Sequence, residues 1–383
     1  MRPTADLITL CRQRLAAVDS AELQSHLNII ERDPTNPAPI HTLALTCRRR
    51  GYLDIWQHAI DTAISLPHDT HEQLHYRGHS RIRSGDWAGW ADRESRLFHP
   101  KDRECHATHM WQIQWTKVAW DGKEDLRGKT LFAFADGGFG DCLQMLRFIP
   151  SLAKTADAIV LGVRPELVSF VKHNLGHLAM IVSRDDGPAV PFQRYTWTMS
   201  LPWLLGELTP FAAISAPNPI IQSASEHRPL LVGLCWAGNP RHPRDRHRSM
   251  SIEAFGRLLA RKDIRWQSLQ VGERAAEVVS HECVRPPSQP LQTFADTANL
   301  IAGLDCVVTV DTSVAHLAGC LGVPTYLLLN LAAEFRWGLD DMTPWYPSMR
   351  LIRQRTAGDW AGVVSALAAE LDLRTSGRTI SLA

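Results

Sequence analysis

Cys306-Val-Val-Thr-Val-Asp-Thr-Ser-Val-Ala-His-Leu-Ala-Gly-Cys-Leu-Gly-Val-Pro-Thr-Tyr-Leu-Leu-Leu329 reads as a buried strand, a polar turn, a short helix and a second buried strand. Residues 306–310 are β-branched apart from Cys306, and the run stops at Asp311. Leu317, Ala318 and Leu321 give the helix an inner face, and Gly322 with Pro324 ends it. Tyr326 to Leu329 is a continuous apolar run, as in a strand covered on both faces. A unit this compact predicts a right-handed βαβ crossover. Its polar turn falls at the carboxyl end of the first strand, where open α/β sheets bind ligands. Thr312 and Ser313 stand at the helix N-terminus, where free N–H groups and the helix dipole attract phosphate. His316 is i+4 from Thr312 and i+3 from Ser313, so the three share one face. The turn therefore suits a diphosphate. The plainer alternative stays open: Asp311, Thr312 and Ser313 cap a helix, and His316 is a packing residue.

The chain has 383 residues, which predicts two or three domains. A hydrophobic content of 45% and a charged content of 21% fit a globular protein. A net charge of +1 gives no global reason to expect nucleic acid or a membrane surface as partner. No apolar run approaches the roughly 18 residues of a spanning helix, so no transmembrane segment is expected. The start, Met1-Arg-Pro-Thr-Ala-Asp-Leu7, lacks a signal-peptide core. Eight scattered cysteines without a Cys-x-x-Cys pair read as reduced thiols of a cytoplasmic protein. Cys105, His106 and His109 could form half a metal site, but no second half follows, and no metal is expected. Trp111, Trp115 and Trp120 cluster ahead of the first strand as packing residues.

Residues 1–100 hold no convincing strand. Gly51-Tyr-Leu-Asp-Ile-Trp56 recurs as Gly85-Asp-Trp-Ala-Gly-Trp90, an offset of 34 residues. Ala44 and Gly78 fall at the same offset, each seven positions before its glycine. A period of about 34 with small residues at helix crossings predicts a tetratricopeptide-like (TPR-like) helical domain. The match is partial, because Glu94 stands where the repeat would place a large apolar residue. After a connector at 101–125 the texture changes. Strands are expected at 130–135, 158–163 and 180–183, with helical spacing from Leu143 to Leu152. A proline-bearing linker at 214–228 leads to further strands at 230–236, 266–271, 306–310 and 326–329, and a helix at 358–372. Two α/β halves in succession predict two Rossmann-like domains, 126–222 and 223–373, facing across a cleft, with a polar tail at 374–383.

Two loops carry candidate chemistry. Gly137-Gly-Phe-Gly-Asp-Cys142 is not a dinucleotide fingerprint, since Leu143 replaces the third glycine. Asp141 would also stand at the helix N-terminus, where a carboxylate repels phosphate. Gly138 and Gly140 instead bring the backbone into the cleft and aim Asp141 at something other than phosphate, as a candidate general base. Asp141 as a simple helix cap is the alternative. The loop Trp236–Ser249 holds four arginines and two histidines against one aspartate, and suits a diphosphate at a strand's carboxyl end.

These segments, with Phe294-Ala-Asp-Thr-Ala298, Phe335-Arg-Trp337 and Trp345-Tyr-Pro-Ser-Met-Arg-Leu351, resemble in order the bacterial tetratricopeptide-linked glycosyltransferases of the heptosyltransferase-like (family 9-like) group. The resemblance covers about 85–370. It implies the GT-B fold and inverting transfer of a sugar from a nucleotide diphosphate donor, without a cofactor. It places the general base at Asp141. It places Asp311, Thr312 and His316 next to the donor diphosphate, with a basic side chain from 241–248, for which Arg248 is favoured. Gly238 and Ser313 are expected at the same diphosphate, Asp311 at sugar hydroxyls or as a brace of the turn, and Gln270 and Asp296, near two other strand ends, at base or ribose. The group commonly has lysine where Arg248 stands and glutamate where Asp136 stands. The implied acceptor is a protein or a glycan such as lipopolysaccharide, reached through the TPR-like domain. A catalytically inactive scaffold and a nucleotide-sugar epimerase are the competing functions.

Overall fold

The computed structural model describes residues 2–16, 20–66, 71–98, 118–186, 191–206, 208, 214–220 and 228–376. The Cys105–His109 group, Trp111 and Trp115, most of the expected connector and residues 377–383 of the expected tail lie outside them. The chain forms two compact units. One comprises Met1–Met110 with Leu331–Leu339; the other comprises Trp111–Asn330 with Asp340–Ala383.

The first unit contains helices α1 (Arg2–Leu15), α2 (Ala21–Arg32), α3 (Pro37–Arg50), α4 (Leu53–Ser65), α5 (His71–Arg83) and α6 (Gly89–Arg93), then a 3₁₀ turn at Glu94–Phe98. No strand occurs among the described residues 2–98. Ile55, Trp56, Ala59, Ile60 and Ala63 are buried, the spacing of one helical face. Gly51 and Gly85, 34 residues apart, take almost the same left-handed conformation (φ 85° and 84°), which lets each end its helix in a tight turn. At Gly78 an added Cβ would lie 2.7 Å from the Gly89 carbonyl, so α5 and α6 approach too closely for a side chain. Residues 331–339, expected within the second α/β half, belong instead to this unit. The Phe335 ring stacks on His79 with centroids 4.3 Å apart, and Arg83 donates to the Ala333 carbonyl at 2.5 Å. Apolar Leu331, Phe335 and Trp337 thus find their burial among helices.

The second unit carries two wholly parallel sheets. The first contains β1 (Val118–Ala119), β2 (Leu126–Phe134), β3 (Ala156–Val163), β4 (Met180–Ser183) and β5 (Arg194–Trp197), in the order β1-β5-β2-β3-β4. The second contains β6 (Leu230–Cys235), β7 (Ile264–Ser268), β8 (Val284–Arg285), β9 (Cys306–Val310), β10 (Thr325–Leu329) and β11 (Met349–Arg353), in the order β11-β10-β9-β6-β7-β8. β9 and β10 pair in parallel around the helix Ser313–Cys320. Both strands are buried along their whole length, which is why they read as apolar runs. Trp236, Trp266, Val308, Val310 and Leu328 are packed in the core of this half.

Each sheet reverses its winding once. In the first the chain steps outward from β2 through β3 to β4, then crosses to β5 on the other side of β2. In the second it steps from β6 to β8, then crosses to β9 beside β6 and on to β11. Loops separate at such reversals and leave a crevice at the carboxyl ends. The turn after β2 and the loops after β6 and β9 all emerge at these points.

Candidate active site

The turn after β2 is built by its neighbours. Gly138 donates its N–H to Asp141 Oδ2 at 2.7 Å, so Asp141 caps the helix Phe139–Met145 from its first turn. A carboxylate offers about four acceptor sites, so this bond leaves Asp141 chemically capable of more. Arg164, just past β3, donates to the Gly137 carbonyl at 3.3 Å and lies 4.9 Å over the Phe139 ring. Arg184, just past β4, donates to the Ala135 carbonyl at 2.8 Å. Burial, and then Arg164, push the Arg184 pKa below its ordinary value. Asp136 Oδ1 accepts from Met199 N–H at 2.9 Å and Thr198 Oγ1 at 3.3 Å, tying this turn to the one after β5. Burial pushes the neighbouring Cys142 thiol up to about 12, so it stays protonated.

The loop after β6 is held from beneath by Gln270. Its Oε1 accepts from Trp236 N–H at 3.2 Å and Ala237 N–H at 3.0 Å, and its Nε2 donates to the carbonyls of Ala237 and Val271 at 3.0 and 3.1 Å. Gln270, expected near the nucleotide, thus spends its amide on the backbone of this loop. We expect Gln270→Ala to destabilise the protein by about 2–4 kcal/mol, because it strands several buried partners at once. The readout is the unfolding midpoint. A variant that melts with the wild type but loses nucleotide selectivity would restore the ligand contact.

Above this brace, Gly238 donates to Ser249 Oγ at 2.9 Å, and Arg248 Nε donates to buried Asp245 at 3.3 Å. Arg248 Nη2 would lie 2.7 Å from a Cβ on Gly238, so the guanidinium sits directly over that residue. His242 Nδ1 accepts from the Arg244 N–H at 3.2 Å. Burial, then Arg248 and Arg244, hold the His242 pKa below its ordinary value, while Asp141 acts the other way. His242 thus lies within electrostatic reach of both Asp141 and Arg248. It was not singled out from the sequence; the histidines among the loop's arginines were the available signal.

In the turn after β9, Thr312 is the N-cap of Ser313–Cys320. Its Oγ1 accepts from Val314 N–H at 3.3 Å and lies 3.3 Å from Thr309 Oγ1, so this hydroxyl serves the fold. Ser313 opens the helix and is half-buried, as is Asp311. Asp296, expected near the nucleotide, caps another helix: its Oδ2 accepts from Thr293 N–H and Thr293 Oγ1, both at 2.8 Å. The capping has a simple cause, since Thr-x-x-Asp before an apolar run is a capping signature. His316 is 3% exposed, with Nδ1 2.8 Å from the Tyr346 hydroxyl.

The two halves meet here. A Cβ placed on Gly140 would lie 2.5 Å from His316 Cδ2 and 2.9 Å from Nε2. Cys320 donates to the Leu143 carbonyl at 3.5 Å, and Arg147 to the Trp345 carbonyl at 2.5 Å. The structure therefore brings the Gly140–Asp141 turn against His316, with Arg248 and His242 on the loop after β6. Gln270 and Thr312 brace the loops around this contact, and the helix that Asp296 caps reaches it through Phe294, whose ring lies 4.9 Å from that of Phe139. Among the described residues no group of three or more His, Cys, Asp or Glu could hold a metal ion. No helix among them is long and apolar enough to cross a membrane.

No protein-family model matches the chain. It is 23% identical to Protein FlbA of Caulobacter vibrioides over 316 residues, 74% of this chain and 52% of FlbA. The chain thus spans about half the length of that curated relative. Solved structures that it resembles include TibC, a bacterial iron-containing dodecameric glycosyltransferase from enterotoxigenic E. coli, with TM-score 0.44 and 12% identity. That likeness covers 62% of this chain and 65% of TibC. E. coli heptosyltransferase WaaC with ADP gives TM-score 0.43 and 14% identity, covering 65% of this chain and 100% of WaaC.

Proposed function

We propose that this chain is an inverting glycosyltransferase of GT-B architecture that takes a sugar from a nucleotide diphosphate donor. The observation that carries it is the meeting of the Gly140–Asp141 turn with His316 at the carboxyl edges of two parallel sheets. The turn that carries a carboxylate in one half meets the imidazole of the other, and a basic loop follows a strand of that second half. Asp141 takes the proton of the acceptor group. The acceptor atom bonds to the anomeric carbon as the bond from that carbon to the diphosphate oxygen breaks. Arg248, His316 and the N-terminus of Ser313–Cys320 meet the charge that grows on the departing nucleoside diphosphate. Gly238 leaves room for the Arg248 guanidinium, and Asp311 binds sugar hydroxyls. The acceptor is a protein or a glycan such as lipopolysaccharide, recognised with the help of the helical unit as a TPR-like module. The work is done in the cytoplasm.

A nucleotide panel tests the donor site. A ligand at 100 times its Kd adds about 2.7 kcal/mol of stability, so one nucleoside diphosphate should raise the melting midpoint by several degrees. Arg248→Ala removes a charge-assisted bond worth roughly 1.5–3 kcal/mol and should weaken that binding about 10- to 100-fold. No shift with any nucleoside diphosphate or its sugar would end the donor assignment. Equal titrations of wild type and variant would place the diphosphate elsewhere.

One observation favours a second reading. The Gly138–Asp141 bond gives Asp141 a structural task, as it would have in a scaffold that binds but does not transfer.

A further inference from the structure

His316 approaches the Gly140 turn with one edge and Tyr346 with the other. The Tyr346 side chain is fully buried, and its hydroxyl lies 2.8 Å from His316 Nδ1. The rings stand edge to face at 72°, with centroids 5.7 Å apart. Two further contacts fix Tyr346 in place. Gly319 packs against its ring so closely that a Cβ would lie 2.5 Å from two ring carbons. Arg147, from the first α/β half, donates to the adjacent Trp345 carbonyl at 2.5 Å and lies 5.8 Å from the Tyr346 ring centroid. The Tyr346 N-terminal neighbour, Trp345, is itself buried. The phenol therefore has little freedom to turn away from the imidazole.

In a neutral imidazole one nitrogen donates and the other accepts, and the bond made by one decides the role of the other. A phenol O–H is a stronger donor than an imidazole N–H, so O–H···Nδ1 is the favoured direction. That leaves the proton on Nε2, at the edge facing Gly140. We propose that Tyr346 is a positioning residue of the transfer site: its hydroxyl fixes His316 as the Nε2–H tautomer and aims that N–H along the Gly140–Asp141 turn. There it donates to an oxygen of the departing diphosphate. The opposite tautomer would present a lone pair to an anion and repel it. Tyr346 does not touch the substrate; it determines what His316 presents to it. This role rests on the transferase assignment, but the tautomer itself does not.

The test is the nitrogen spectrum of the full-length protein labelled with ¹⁵N-histidine, with His316→Gln used to assign the His316 signals. A ring nitrogen bearing a proton resonates far from one that does not. The expected wild-type result is a protonated Nε2 and a bare, hydrogen-bonded Nδ1. In Tyr346→Phe that preference should be lost, and nucleoside diphosphate affinity should fall several-fold with the melting curve still cooperative. Should the phenylalanine variant fail to fold, 3-fluorotyrosine labelling of the wild type strengthens the donor and should move the Nδ1 resonance. A wild-type proton on Nδ1, an unchanged tautomer in Tyr346→Phe, or an unmoved resonance on fluorination would each overturn the proposal. If no nucleotide binds the wild type, the transferase assignment fails while the tautomer result still stands.

Discussion

Asp141→Asn is expected to lower sugar transfer by about 10²–10⁴-fold, the usual loss when a general base is removed. The structure makes this substitution clean. Asparagine keeps an oxygen to accept the Gly138 N–H, the bond that holds the first turn of the helix. Asparagine and aspartate also serve comparably near helix starts, so folding should change little. What asparagine cannot do is take a proton. Donor affinity should be unchanged or slightly improved, because one negative charge near an anionic ligand is gone. The deciding measurement is single-turnover transfer at saturating donor, alongside donor Kd. Turnover close to wild type would make Asp141 a cap only. The search for the base would then move to Asp311, since Asp136 Oδ1 accepts hydrogen bonds from the turn after β5.

Gly140→Ala should be nearly as damaging, by another route. The new Cβ would lie 2.5 Å from a ring carbon of His316, where unstrained carbons sit about 3.5–4.0 Å apart. The ring cannot simply retreat, because it is buried and tied to Tyr346. Either the helix Phe139–Met145 or the imidazole must move by about an ångström. Overpacking of this kind costs about 1–3 kcal/mol. A misplacement of about 1 Å at reacting groups can cost about 10²-fold in rate. The expected result is a lower melting midpoint together with a loss of transfer of that order. An alanine variant with unchanged midpoint and turnover would show that the two halves do not need to meet here.

The central strands were readable because burial on both faces leaves an unbroken apolar run, as in Leu131–Phe134, Cys306–Val310 and Thr325–Leu329. β1, β5, β8 and β11 were missed. β1 and β8 have only two residues each, and β5 and β11 mix arginines with apolar side chains. Such strands owe their existence to a paired neighbour more than to their own composition. At the site, the sequence singled out the three loops after β2, β6 and β9. It could not show that Gly140 would rest on His316, because nothing local links elements so distant in the chain. Gln270 and Asp296 illustrate a different limit. A polar side chain at a strand end or helix start serves equally as ligand contact or as brace, and only the geometry of its bonds decides. Tyr346 lay inside a recognisable motif, yet its task appears only through the ring it touches.

The excursion at Leu331–Leu339 has a practical consequence for anyone dividing this protein. A fragment ending near residue 100 would lack Phe335, the ring that stacks on His79, and the carbonyl that receives Arg83. A fragment starting there would carry the buried Phe335 and Trp337 without the helices of their unit. No single scission yields either unit whole. Separate expression needs two junctions: residues 331–339 appended to the helical fragment by a linker, and a short hydrophilic loop joining Asn330 to Asp340 in the other.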